Sequence, residues 1–117
     1  MKVEIACSLA ARLHGLAGRN AFDGVLLLVP CNDVHTFTMH RQIDIAFVAA
    51  DGTVLESLRD VPPRRRMRNR KAVAVIERYS SREWWPTTGD VLELSHSRDG
   101  QQFVWGGDDH ENMPSVQ

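Results

Sequence analysis

The chain has 117 residues, a length that supports one hydrophobic core without help from metals or disulfides. Its 14 Lys and Arg stand against 15 Asp and Glu, a formal net charge of −1, which excludes a global field drawing it to nucleic acid or an anionic membrane; such a partner would need a local patch. Two cysteines, Cys7 and Cys31, do not form a CxxC pair and are too few for a disulfide framework, so both are expected to be thiols in a reducing compartment.

Val3, Ile5 and Cys7 alternate with Lys2, Glu4 and Ala6, the period of a half-buried strand. From Ser8 the spacing changes to Leu9, Leu13 and Leu16, with Ser8 as N-cap and Gly15 and Gly18 as stop signals, which predicts an amphipathic helix docked on a sheet. Val25 to Val29 is a continuous apolar run closed by Pro30, the pattern of a strand buried on both faces. Val34 to Met39 and Ile43 to Ala50 are expected as the next two strands.

Asp51-Gly52 signals a two-residue type I′ turn. Counting outward from it sets Ala50 opposite Thr53, Val48 opposite Leu55, Ala46 opposite Ser57 and Asp44 opposite Arg59, so Asp44 gains a cross-strand cation. The chain must leave the sheet around Asp60-Val61-Pro62-Pro63, because proline cannot donate to a ladder. Arg64 to Lys71 then reads as a hydrated cationic loop, and Ala72 to Ile76 resumes as a central strand. Ser80 with Glu83 three residues on has the spacing of a capping box, predicting a short second helix through Trp84-Trp85 to Pro86. Gly89-Asp90 turns into a strand Val91 to Leu94, and Asp99-Gly100 turns that strand back into Gln101 to Trp105. The expected organisation is a single globular domain over 1–106 with a flexible polar tail over 107–117.

The block Leu26-Leu27-Leu28-Val29-Pro30-Cys31, then Val34-His35-Thr36-Phe37 and Met39, followed by Ile43-Asp44, Phe47 and Asp51-Gly52 with Val54, resembles the domain-of-unknown-function 192 family of small bacterial and archaeal proteins. Upstream, Arg12, Gly15-Leu16 and Gly18-Arg19 look like that family's Arg-x-x-Gly-Leu-Met-x-Arg element. Downstream, Val61-Pro62-Pro63, Ile76-Glu77 and Gly89-Asp90-Val91-Leu92 follow in the family's order, so the resemblance spans about residues 3–95. Gln42 and Ala17 stand where the family usually has proline and methionine, and Arg78-Tyr79-Ser80-Ser81 replaces its Glu-Leu-Pro-Ala-Gly type of turn. The resemblance implies a compact, mainly β domain, curled or barrel-like, with one or two short helices, and it implies no activity. Together with the element pattern it leads to an expected α+β domain with a chiefly antiparallel sheet.

Three sets of side chains are candidates for function. Cys31, His35 and Asp44 offer a thiol, an imidazole and an orienting carboxylate, the components of a thiol-dependent hydrolase. The plainer alternative has Cys31 packed as a small hydrophobe, His35 bonded within the sheet and Asp44 paired with Arg59. Cys31, His35, His40 and Met39 could also surround a metal, but His35 and His40 point to opposite faces of a regular strand, and no metal or other cofactor is expected. Finally, Arg64, Arg65, Arg66 and Arg68 could contact phosphates, with Tyr79, Trp84 and Trp85 as stacking platforms, whereas a solvated loop balanced by Asp108, Asp109 and Glu111 is the simpler reading. Of the adjacent Trp84 and Trp85, one is expected to be exposed.

These observations favour a non-catalytic binding or accessory module with a ligand surface around His35, Met39, Asp44 and Arg64. Its partner would be a protein or small molecule rather than a membrane, with nucleic acid the less favoured class. Glu4 interrupts the N-terminal apolar residues and no run reaches membrane-spanning length, so a cytoplasmic monomer is expected.

Overall fold

The computed structural model describes residues 3–6, 24–37, 39–97 and 100–104. Nine strands appear in it: β1 (Val3–Ala6), β2 (Val25–Leu28), β3 (Asp33–His35), β4 (Ile43–Val48), β5 (Val54–Val61), β6 (Arg66–Arg68), β7 (Ala74–Tyr79), β8 (Glu93–Ser97) and β9 (Gly100–Val104). Five of them form one sheet in the order β1-β2-β7-β4-β5, with β1 and β2 parallel and the other pairs antiparallel. β3 pairs with β6 and β8 with β9 as separate two-stranded ribbons.

Every residue of β2, β4 and β7 is buried, so these strands form the middle of the sheet. Their apolar runs supply both faces at once. Leu26, Leu28, Ile43, Ile45, Phe47 and Val75 enter one core layer, while Val25, Leu27, Ala46, Val48, Ala74 and Ile76 enter the other. The β3–β6 ribbon closes the first layer, with Val34 buried and Met67 packed beside it; Trp85 and Leu92 close the second.

The expectation of an α+β, barrel-like domain is corrected by this arrangement. Among the described residues there is no helix, and the main sheet is open, ending at β1 and β5. The helix expected from Ser8 lies outside the described residues. The second helix is replaced by an irregular segment for a visible reason. Ser80, expected to cap it, donates its hydroxyl to Asp44 Oδ1 at 3.3 Å. The carbonyls of Ser81, Glu83 and Trp84, which a helix would align along its axis, converge instead on the Arg78 guanidinium. Trp85 is buried and Trp84 half-buried, so neither ring of that pair is fully exposed.

The β4–β5 hairpin keeps the counted register over its centre, with Ala46 opposite Ser57, but slips on either side. Gly52 N–H donates to Ala49 O and Ala49 N–H to Thr53 O, so the loop has three residues rather than two. Gly52, at φ 91°, takes the left-handed position that closes such a turn. Val48 therefore faces Val54, not Leu55. At the far end Arg59 and Asp60 together oppose Asp44, a β-bulge whose second residue has φ 55°. The bulge lets Leu58 and Val61, three residues apart, share the first core layer. Strand β5 also continues through Val61, so the chain leaves the sheet only at Pro62. Val91 pairs with Thr53 as a single bridge, and β8 begins two residues later than expected.

Candidate binding surface

Asp44 is fully buried, and its position in β4 aims it into the second core layer with Ala46 and Val48. Its direct cross-strand neighbour on β7 is Arg78, 4% exposed, whose Nε donates to Asp44 Oδ2 at 2.9 Å. Oδ1 accepts from Asp60 N–H at 3.0 Å and from Ser80 Oγ, and pairs with Arg59 Nε at 3.1 Å. Burial pushes the Asp44 carboxyl up, but the Asp60 amide and the two guanidiniums outweigh it and hold the group below its usual range. The other Arg78 donors take the carbonyls of Trp84 at 3.0 Å and Glu83 at 2.8 Å, and the guanidinium lies 4.5 Å from the centre of the Trp85 ring. This cluster fastens the 80–86 segment to the sheet, and each of its named donors and acceptors is spent inside the protein.

Cys31 belongs to the opposite layer, packed against the first core cluster, with its thiol directed at Asp33 O at 3.5 Å. The sheet lies between it and Asp44. His35 stands on the exposed face of β3, so the structure does not bring Cys31, His35 and Asp44 together. Met39 is buried in the first layer, and His40 is exposed beyond it. Among the described residues no three His, Cys, Asp or Glu side chains are grouped to hold a metal ion.

The residues that do converge are those of the β3–β6 ribbon. Its register sets Asp33 opposite Arg68, Val34 opposite Met67 and His35 opposite Arg66. Because side chains alternate along a strand, Val34 and Met67 face the core while Asp33, His35, Arg66 and Arg68 line the outer face. Residues 66–68, expected within a loop, are thus held on a strand. Arg66 donates to both carboxylate oxygens of Asp33, Nε to Oδ1 at 3.1 Å and Nη2 to Oδ2 at 2.7 Å. That bond leads the effects holding the Asp33 carboxyl below its usual range, against a smaller upward push from burial. On the same side, the rings of His35 and Phe37 stack with centroids 5.1 Å apart and planes 22° from parallel, and Phe37 is 55% exposed.

Thr36, between those rings, is fully buried and ties the ribbon to the loop before β6. Its hydroxyl donates to Pro62 O at 2.8 Å and accepts from Arg65 N–H at 2.9 Å. Its own N–H donates to Arg65 O at 2.8 Å, and its carbonyl accepts from Arg64 N–H at 3.0 Å and Met39 N–H at 3.2 Å. These bonds hold Arg64 at φ 68°, a conformation that arginine adopts only under constraint. Arg64 and Arg65 are therefore exposed cations on a fixed backbone. Sequence alone does not single out Thr36, Phe37 or Arg78 as site residues. The alternation of Val34, His35, Thr36 and Phe37 was the available sign for the first two; Arg78 becomes visible only once β7 is paired with β4.

The family model described as DUF192, Uncharacterized ACR, matches residues 1–94. Among solved structures, the chain is similar to a protein of unknown function from Novosphingobium aromaticivorans DSM 12444, with a TM-score of 0.62 and 19% identity, over 69% of this chain and 64% of that one. It is also similar to a "putative transcription regulator" from Sinorhizobium meliloti 1021, with a TM-score of 0.59 and 21% identity, over 67% of each chain. At these identities the likeness is one of fold. A search of curated proteins found no match. Among the described residues no helix is long and apolar enough to cross a membrane.

Proposed function

The chain belongs to the DUF192 family, and we propose that it acts as a non-catalytic binding module whose contact surface is the outer face of the β3–β6 ribbon. The observation that carries this reading is the exposed His35–Phe37 stack, with Arg66 opposite His35, Arg68 further along the same strand, and Arg64 and Arg65 exposed on backbone bonded to the buried Thr36. Cations on an anchored backbone lose less conformational freedom on binding than cations in a free loop, and an exposed aromatic on the same ribbon adds contact area at low entropic cost. Of the ligand surface expected from the sequence, His35 and Arg64 are contact residues in this reading. Met39 is buried in the first core layer, which the ribbon covers, whereas Asp44 lies across the sheet in the second layer and is no part of this surface. The partner is anionic, because Arg64 to Lys71 holds six cations and no acid, while Asp33, which pairs with Arg66 and faces Arg68, offsets only part of that charge.

Retention on immobilised heparin tests the reading. The protein should be retained at about 50 mM salt, and a variant carrying Arg64→Gly, Arg65→Ala and Arg68→Ala should pass through unretained. Glycine at 64 suits the left-handed backbone, so the loss of binding would not arise from a misfolded loop. A wild-type protein that is not retained, or a triple variant retained equally, would refute it.

A further inference from the structure

We propose that the anionic partner of the β3–β6 ribbon is single-stranded nucleic acid. This rests on the binding-surface reading above and extends it to a chemical class. The ribbon presents two kinds of group side by side. One is cationic: Arg64, Arg65 and Arg68 are exposed, and Arg66 is held in a fixed orientation by Asp33. The other is aromatic: Phe37 is backed by His35 at 5.1 Å, which leaves the outer face of a ring stack turned to solvent. Guanidiniums that track a phosphate backbone, with a ring on which a base can stack, form the combination used by proteins that bind single strands with little sequence preference.

Other polyanions use only part of this surface. An acidic peptide would pair with the arginines and leave the ring stack without a counterpart. An anionic membrane would need a broader apolar area than one phenyl ring can insert, and the other exposed large apolar side chains among the described residues, Val73 and Val91, lie off the ribbon. A duplex hides the faces of its bases within its own stack, so Phe37 could reach them only at an end or a bulge. A single strand satisfies both halves, placing phosphates along Arg64, Arg65 and Arg68 and a base on Phe37. With three phosphates contacted, log Kobs should fall with log salt at a slope of about −2.

The test is fluorescence anisotropy of a labelled, mixed-sequence RNA of about 12 nucleotides, a length within the usual single-strand site size, titrated with the full chain at about 50 mM salt. Binding should occur, with Phe37→Ala weakening it about tenfold or more and Phe37→Trp retaining it. A blunt duplex of the same sequence should compete poorly. Because Phe37 is exposed, both variants should keep the wild-type thermal transition, which verifies that the fold is intact. If the protein is retained on heparin but does not bind the oligonucleotide, or binds it without regard to Phe37, the nucleic-acid assignment is overturned while the cationic surface stands. Stronger binding to phosphatidylglycerol vesicles or to polyglutamate than to the RNA would likewise overturn it. Failure on heparin as well would remove both readings.

Discussion

Replacing Asp44 with alanine should cost the domain about 4 kcal/mol. The figure follows from what the carboxylate leaves behind. Arg78 is 4% exposed, and breaking a buried pair by removing one partner typically costs about 3–5 kcal/mol, because an uncompensated charge remains. The three carbonyls of the 81–84 segment still accept from Arg78, which favours the lower part of that range. Loss of the acceptor for Asp60 N–H adds about 1 kcal/mol. Arg59, with a side chain 44% exposed, contributes under about 1 kcal/mol. Urea unfolding followed by tryptophan fluorescence is a suitable assay, since the Arg78 guanidinium lies against the Trp85 ring. With a slope of about 1.4 kcal/mol/M, the midpoint should fall by about 3 M. Should the alanine variant prove unfolded without denaturant, Asp44→Asn should retain part of the hydrogen bonding and cost about half as much. Double-mutant cycles sharpen the comparison: coupling of Asp44 to Arg78 should be about 2–3 kcal/mol, against less than about 1 kcal/mol for Asp44 to Arg59. A loss below about 1 kcal/mol for Asp44→Ala, or the larger coupling falling on Arg59, would refute this account of the cluster.

Other perturbations follow from the same structure. Because the folded Asp44 carboxyl titrates below its unfolded value, its contribution is full above about pH 4 and disappears as the pH falls through the folded value; Asp44→Asn should flatten the acid limb of a stability–pH curve, and an unchanged limb would count against it. Gly52→Ala should destabilise by about 2–4 kcal/mol, since a Cβ there would meet the Leu92 carbonyl and alanine resists the left-handed backbone; a thermal transition within about 2 °C of wild type would contradict this. Thr36→Val should cost about 1–3 kcal/mol by leaving the Arg65 amide without its side-chain acceptor, and should weaken heparin retention in step. The chain has one tyrosine, so its ultraviolet titration reports on Tyr79 alone. Burial pushes that phenol above its ordinary value, and the Arg41 guanidinium, 4.0 Å from the ring centre, partly offsets the push, so the midpoint should lie above 10 and rise further in Arg41→Ala. A midpoint at or below 10 would argue against the packing of β7.

The parts of the fold legible in the sequence were those written in local pattern. Val25–Leu28 and Ile43–Val48 are strands because mainly apolar runs buried on both faces leave few alternatives. Ala72 to Ile76 reads as a strand in the same way, although β7 spans Ala74–Tyr79 and takes in the buried Glu77 and Arg78. The Arg59 partner of Asp44 follows from counting outward along one hairpin. What the sequence did not disclose depends on pairings between distant segments. Nothing local sets β7 between β2 and β4, so the Arg78 partner of Asp44 stayed hidden, and with it the reason that 80–86 is not a helix. β6 is an arginine-rich segment with one inward methionine, a composition that reads as a hydrated loop until Met67 is set opposite Val34. The same pairing changes the candidate surface, turning a flexible run of charge into fixed positions beside His35 and Phe37. The suggestion of joint chemistry by Cys31, His35 and Asp44 rests on the four-residue spacing of Cys31 and His35, whereas Cys31 and Asp44 lie on opposite sides of the sheet and His35 is on the exposed face of β3.

The central claim, that the outer face of the β3–β6 ribbon is the binding surface, is tested most directly by following backbone amide resonances during titration with a sulfated heparin oligosaccharide. The account predicts shifts concentrated in residues 33–37 and 64–68, with the amides of β5 and of residues 86–92 unmoved. Shifts centred on those latter segments, or spread evenly over the protein, would contradict it.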